Sequence, residues 1–240
     1  MIEPPTPADE QQRLEALEAW RILDSGSDEA FDDLVEIATT VFDMPVGLVS
    51  LVGEDRQWFK ARKGVDVEES PREYSVCAHA ITEPGRPFVA PDLREDERFR
   101  GNPLLEAAGL RSYAGVPLVD RDGLPLGSIC VMDTRPLGDT EEMDEKLDVL
   151  RRLSRQAIRL IEQRAVTRQL ADALENVEKL EALVPVCAWC NSIRDDQDYW
   201  RSVEDFLKSR GLDLTHGICP DCDEKLAREA DKGTAGVTDT

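Results

Sequence analysis

Apolar positions recur along this chain with three different periods. Near the start, DEQQRLEALEAWRILD places Leu14, Leu17, Trp20 and Leu23 three residues apart, which predicts an amphipathic helix with a narrow stripe. SGSDEAFDDLVEIATTVFDM follows, with Ser27 as the expected cap and Asp28 and Glu29 at the positive end of the helix dipole. Leu34, Ile37, Ala38 and Val41 then share one face of a second helix. The period changes to that of strands at PVGLVSLVGEDRQWFKARKG, where a β-branched run breaks at Gly-Glu-Asp-Arg and resumes. Further strands are expected at RPFVAPDL, SYAGVPLVD and PLGSICVMD, the last two joined by DRDG, where Asp122-Gly123 tolerates positive φ. Strands linked by hairpins make an antiparallel sheet, and helices from both chain ends would cover one of its faces.

From GDTEEMDEKLDVLRRL onward there is no glycine after Gly138 and no proline before Pro185, which permits one long helix over 140–184. Leu150, Leu153, Ala157 and Leu160 follow a three-four spacing, and so do Leu170, Ala173, Val177, Leu180 and Val184. The series are out of phase: counting from the first puts Arg164 and Thr167 on the seam, so the stripe shifts within EQRAVTRQ. A helix that outruns its domain needs a partner for its stripe, so a parallel coiled coil and a homodimer are expected. A helix folded back on the sheet is the alternative.

At 240 residues the chain has room for one full domain and a smaller unit. Neither a signal peptide nor an apolar run approaching the roughly 20 residues of a membrane span is visible, so a cytoplasmic protein is expected. A net charge of -21 opposes nonspecific binding to nucleic acid or anionic lipid.

The segments RLEALEAWRILDSGSDEAFDDL, VSLVGEDRQWFKARKGVD, YSVCAHAI, DERFRGNPLL and YAGVPLVDRDGLPLGSICVMDTRP, in this order, resemble a GAF domain of a bacterial signalling subtype. That resemblance implies an α+β fold, a GAF/PAS-like antiparallel six-stranded sheet with flanking helices, over 11–165. It also implies sensory input to partners such as a histidine kinase or a cyclic-dinucleotide enzyme. The chain lacks the Asn-Lys-x-x-x-Phe-x-x-x-Asp-Glu pattern of cyclic-nucleotide-binding members and shows no bilin-attachment context, so no ligand carries over. By motif position, Trp58, Phe59, Cys77, His79 and Tyr113 are the candidates to face an unknown small-molecule ligand. Read as an extended segment, VCAHA puts Cys77 and His79 on one side, where they would be either a packed motif or a thiolate-activating pair. Cys130, within an apolar strand, reads as a buried small hydrophobe.

Cys187-x-x-Cys190 and Cys219-x-x-Cys222 are separated by 28 intervening residues, and two such knuckles suit a tetrahedral thiolate zinc site. The intervening DDQDYWRSVEDFLKSRG predicts a turn and a short helix with Tyr199, Val203, Phe206 and Leu207 inward. So little apolar material in residues 185–230 calls for a staple, which a metal supplies. Pro220 and the helical DEKLAREA resemble the knuckle-then-helix end of treble-clef fingers, and His216 is placed as a second-shell group or alternative ligand. Iron-sulfur ligation and redox thiols satisfy the same spacing. Residues 1–10 and 231–240 read as a flexible start and a disordered tail. The combined expectation is a non-enzymatic sensor coupling a GAF input through a dimeric helix to a zinc-stabilised protein-interaction module. The alternatives are a thiol redox sensor using the Cys-x-x-Cys pairs, or an enzyme dependent on Cys77 and His79.

Overall fold

The computed structural model describes residues 1–138, 142–181, 185–194, 199–212, 215 and 217–233. They fall into two units, Met1–Asp172 and Ala173–Thr240. In the first, α1 (Glu10–Trp20) buries Leu17 and packs Leu14, Trp20 and the following Leu23 partly against the same core, as the three-residue spacing predicts. Arg13 on this helix is also fully buried, which no apolar pattern announces.

Helix α2 (Glu29–Phe42) is capped by Asp28, not by the expected Ser27: the Asp28 carboxylate accepts the Ala30 N–H at 3.0 Å. Its buried face is Phe31, Leu34, Val35, Ala38 and Phe42. Phe31 and Phe42 bring the face round by less than a residue's turn, so Ile37 is left 45% exposed and Val41 partly buried.

The strands are β1 (Val46–Val52), β2 (Arg56–Lys63), β3 (Glu69–Pro71), β4 (Phe88–Ala90), β5 (Ser112–Val119) and β6 (Pro125–Asp133). They form one six-stranded sheet in the order β3-β2-β1-β6-β5-β4, each neighbour pair antiparallel. The DRDG turn closes β5 onto β6 with positive φ at Gly123 alone among its residues. Asp120 makes the turn: its carboxylate accepts the N–H groups of Asp122 and Leu124, and its own N–H reaches the Leu124 carbonyl at 3.0 Å.

Strand alternation then sends side chains to two cores. Val49, Leu51, Trp58, Ile129 and Val131 meet α1, α2 and the following long helix, while Leu48, Phe59, Tyr113, Cys130 and Met132 face the other way. That second face is covered by α3 (Val76–Ala80), α4 (Pro103–Ala107) and their loops.

Helix α5 (Met143–Glu181) runs for 39 residues. Its first part buries Leu147, Leu150, Leu153, Ala157, Ile158 and Ile161 in the helix-side core, so here it does lie on its own domain. Arg164 is no seam residue: it pairs with the Asp28 carboxylate and lies over the Phe31 ring. Beyond Ala165, Val166, Leu170, Leu174 and Val177 are exposed. Of the second apolar series, the Leu180 side chain and Val184 lie outside the described residues.

In the second unit, β7 (Ile193–Arg194) pairs antiparallel with β8 (Trp200–Arg201), followed by α6 (Val203–Ser209) and α7 (Pro220–Gly233). Ile193 and Phe206 are its buried apolar side chains among the described residues. Tyr199 and Val203, expected inward, are exposed, because so small a core has no second layer to receive them. His216 and residues 234–240 lie outside the described residues.

Candidate functional site

Between the second sheet face and the α3 and α4 segments lies a cavity of about 300 Å³, at the small end of ligand-sized pockets. Gln57, Phe59, Tyr113 and Met132 supply its sheet wall, Val76 and Cys77 come from α3, and Leu104 and Leu105 from α4. Its lining is predominantly apolar.

Each wall is fixed by local chemistry. Asn102 caps α4 by accepting the N–H groups of Leu104 and Leu105, while its amide donates to the Tyr74 carbonyl at 2.9 Å. Pro103 at the first helical position needs no hydrogen bond there. Because Asn102 is buried, Asn102→Ala is expected to cost about 1–3 kcal/mol, read from urea midpoints, and to loosen this wall. On the sheet side, Gln57 Oε1 accepts from the Ser75 hydroxyl and lies 3.3 Å from Ser50 Oγ, and its amide donates to Ser70 Oγ at 2.8 Å. Gln57 is therefore internally satisfied, and the Glu69 carboxylate, also in the lining, pairs with Arg56.

The five candidate contacts separate. Phe59, Cys77 and Tyr113 line the cavity. Trp58 does not, since adjacent residues of a strand face opposite sides, and its ring belongs to the helix-side core. His79 is also elsewhere. VCAHA is helical, not extended, started by Ser75 accepting the Ala78 N–H at 2.9 Å. Two residues along a helix is more than half a turn, so Cys77 and His79 diverge and make no catalytic pair. His79 packs edge-on against Phe99 at 5.0 Å, and its Nε2 lies 3.2 Å from the Ile2 carbonyl. Burial is the main cause holding its pKa below the ordinary value. The Ile2 N–H in turn donates to the Arg98 carbonyl at 2.9 Å, tying the segment read as flexible at this point.

Cys77 points to a polar cluster that the sequence did not reveal. Tyr113 is fully buried; its hydroxyl donates to Cys77 Sγ at 3.5 Å and lies 3.1 Å from Ser128 Oγ. Gly115 makes room for that ring, because a Cβ there would strike the Tyr113 side chain. Cys130, read as a buried small hydrophobe, is fully buried and lies 3.8 Å from Cys77 by sulfur-sulfur distance.

In the second unit each Cys-x-x-Cys pair forms its own tight turn. The Asn191 N–H donates to the Cys187 carbonyl at 2.9 Å and the Cys222 N–H to the Cys219 carbonyl at 3.0 Å. The Ser192 hydroxyl, 3.2 Å from Cys190 Sγ, holds that thiol below its ordinary pKa, and the Cys222 backbone N–H does the same for Cys219. Among the described residues, no three His, Cys, Asp or Glu side chains stand together as a metal ion would need. No helix among the described residues is long and apolar enough to cross a membrane.

Comparison with known proteins bears on the same region. A cyclic di-GMP phosphodiesterase of Pseudomonas aeruginosa is 41% identical over 145 residues, 60% of this chain. The chain spans 24% of that relative's length. The expectation of a non-enzymatic protein is thereby overturned, since a relative this similar is named an enzyme, although the match covers only the sensory part of this chain. Among solved structures, the PixJ GAF domain of Thermosynechococcus elongatus in its blue-light absorbing form is 18% identical, covering 68% of this chain and 95% of that one, with a TM-score of 0.46. The GAF domain of an Acinetobacter phosphoenolpyruvate-protein phosphotransferase is 19% identical, covering 65% and 94%, with a TM-score of 0.44. The GAF domain profile matches residues 27–161, more than half the sequence and the whole span from the α2 cap to the packed part of α5, so this chain belongs to the GAF domain family.

Proposed function

We propose that this chain is a sensor in cyclic-dinucleotide signalling, whose GAF cavity takes up a small, mainly apolar molecule and whose long helix passes on the change. The carrying observation is the apolar cavity of about 300 Å³ on the sheet face opposite α5. On its polar edge, Gln57 is already hydrogen-bonded by Ser50, Ser70 and Ser75, which favours a ligand with few polar groups. The setting in cyclic-dinucleotide signalling is supported by the Pseudomonas relative. A ligand acts this way only by binding two packings with different affinity.

The neutral fluorophore N-phenyl-1-naphthylamine tests the cavity. Saturable binding is expected, weakened at least ten-fold in Ala107→Trp, which places bulk at an exposed lining position without touching the core. Equal binding by that variant would assign the fluorophore to another surface and sink the reading. In cells producing either form, cyclic di-GMP measured by mass spectrometry should respond to the wild type and not to the variant.

Two further parts belong to the reading. The exposed Val166, Leu170 and Val177, with Ala173 between them, keep a three-four spacing that a second copy of the helix would cover as a dimer. For the tail, zinc held by Cys187, Cys190, Cys219 and Cys222 is supported by the knuckle spacing and by the small core of Ile193 and Phe206. The ion would draw the two knuckles into one tetrahedron, and the folded tail would be the docking module for a signalling protein. About one zinc per chain is expected by elemental mass spectrometry, with four thiols becoming reactive on chelation; metal-free protein with a folded tail would refute it.

A further inference from the structure

Cys77 and Cys130 come from α3 and β6 and are separated by 53 positions in sequence, yet their sulfurs lie 3.8 Å apart in the domain interior. Neither belongs to the four-cysteine tail, and a ligand made mostly of hydrocarbon has no use for either. The surroundings are those of a thiolate site. The Tyr113 hydroxyl donates to Cys77 Sγ, and Ser128 Oγ stands behind Tyr113 at 3.1 Å. Cys77 also lines the cavity, whereas Cys130 is not among its lining residues, so a small molecule in the cavity meets Cys77 first.

The two thiols are unequal. The contact with Cys130, followed by hydrogen bonds from Ser128, Tyr113 and Ser50, holds the Cys77 thiol below its ordinary pKa although burial opposes it. The same contact with Cys77, with burial added, pushes the Cys130 thiol up. Of the two thiols, the one more easily deprotonated is the one that faces the cavity.

We infer that Cys77 and Cys130 are a peroxide-oxidisable pair, Cys77 attacking a small hydroperoxide that enters by the cavity and Cys130 resolving the product as a disulfide. In the first step the Cys77 sulfur bonds the distal peroxide oxygen and the O–O bond breaks. The departing alkoxide or hydroxide takes the proton lost from Cys77, leaving a sulfenic acid. In the second, Cys130 gives up its proton and its sulfur attacks that of Cys77. The S–S bond forms, the S–O bond breaks, and hydroxide leaves with the Cys130 proton as water. Two thiols and one hydroperoxide become one disulfide, one alcohol or water, and one water. The sulfurs must close from 3.8 Å to about 2.05 Å, a movement within reach of side-chain rotation and a small shift of the five-residue α3. The bond would staple α3 to the central sheet and reshape the cavity wall beside Tyr113.

The inference stands whether or not the cavity takes an apolar ligand, and its test reads the thiols alone. In the full chain, a small excess of hydrogen peroxide is added, and the protein is then denatured in the presence of iodoacetamide and digested, so that peptide mapping separates Cys77 and Cys130 from the tail cysteines. The expected product is a linked peptide joining Cys77 to Cys130, two hydrogens lighter than its parts and split by dithiothreitol. In Cys130→Ala, dimedone should label Cys77, and far less in wild type. Cys130→Ser repeats the readout if the alanine variant folds poorly. Recovery of both residues as iodoacetamide adducts after peroxide overturns the inference. So does a wild-type Cys77 that accumulates as sulfenic or sulfinic acid without the linked peptide.

Discussion

Gly127→Ala should destabilise the GAF domain by about 3 kcal/mol or more, a large share of the roughly 5–15 kcal/mol that holds an ordinary domain folded. Gly127 sits in β6, opposite Leu51 of β1 and Leu118 of β5, in the middle of the sheet. A methyl group there would run into the Ser50 carbonyl and the Leu51 Cα, both backbone atoms of a hydrogen-bonded strand. No rotamer change relieves such a contact; β1 and β6 would have to part. Gly115→Ala meets only the side chain of Tyr113, yet that ring is fully buried, so a loss of about 1–3 kcal/mol is expected, with the Tyr113-Cys77 contact disturbed. Gly123→Ala finds open space and suffers only from its φ of 87°, about 1 kcal/mol. The order Gly127, Gly115, Gly123 in urea midpoints checks the account; a Gly127→Ala protein within 0.5 kcal/mol of wild type would contradict it.

That ordering also marks what the sequence can and cannot disclose. Five of the six strands of the sheet and the DRDG turn were legible because period-two alternation and an Asp-Gly turn are local signals, whereas the three-residue β3 carries too short a pattern. That one long helix follows was equally legible from the absence of Gly and Pro, although residues 140–141 and 182–184 of the expected span lie outside the described residues. Which residues of the turn need positive φ was not, since Asp120 takes over the turn through its carboxylate and leaves only Gly123 there.

At the candidate site the same division holds. Motif position brought out Phe59, Cys77 and Tyr113, which line one cavity. It could not separate Trp58 from Phe59 or Cys77 from His79, because those separations depend on strand pleat and helical turn. One local signal was available: Ser75 directly before VCAHA is a good N-cap, and a helix there already parts Cys77 from His79. Nothing local pairs Cys77 with Cys130, which meet through α3 packing on β6. Lys60 shows the same limit. Alternation alone places Lys60 on the helix side with Trp58, but its partners are remote in sequence: its amine donates to Gly26 O at 2.5 Å and Ser25 Oγ at 2.9 Å. Burial lowers its pKa, with Asp32 acting in opposition.

Arg13→Met should be nearly as damaging as the central-sheet glycine change, at about 3 kcal/mol, although it adds an apolar side chain to a helix that already faces the core. Arg13 is fully buried and donates to the Val52 and Gly53 carbonyls at the β1–β2 turn, while pairing with Glu10 at 2.7 Å. Arg72 reaches the same carboxylate and also donates to Gly53 O at 2.9 Å. Methionine fills the volume and leaves the Val52 carbonyl without this donor, so its desolvation is no longer offset. Lysine keeps the charge but cannot fork between Glu10 and the two carbonyls, so Arg13→Lys should recover less than half of the loss. The carboxylate gives an independent readout. Burial raises the Glu10 pKa, but hydrogen bonds from Arg13 and Arg72 outweigh it and bring the value from 4.5 to about 2. A pKa depressed by folding stabilises the native state above pH 4.5, and that contribution disappears as pH falls from 4.5 to about 2. Solvent screening of this partly exposed group reduces the contribution to about 1–2 kcal/mol. Glu10→Gln should therefore be less stable than wild type at pH 7 by that amount and converge with it near pH 2. Asp92, Asp96 and Asp133, also held low by neighbouring arginines, weaken both proteins alike in acid, so the difference between the two urea midpoints isolates Glu10. A difference that stays constant from pH 7 to pH 2 would mean that Glu10 contributes through packing, and that the Arg13 charge is balanced by the strand carbonyls alone.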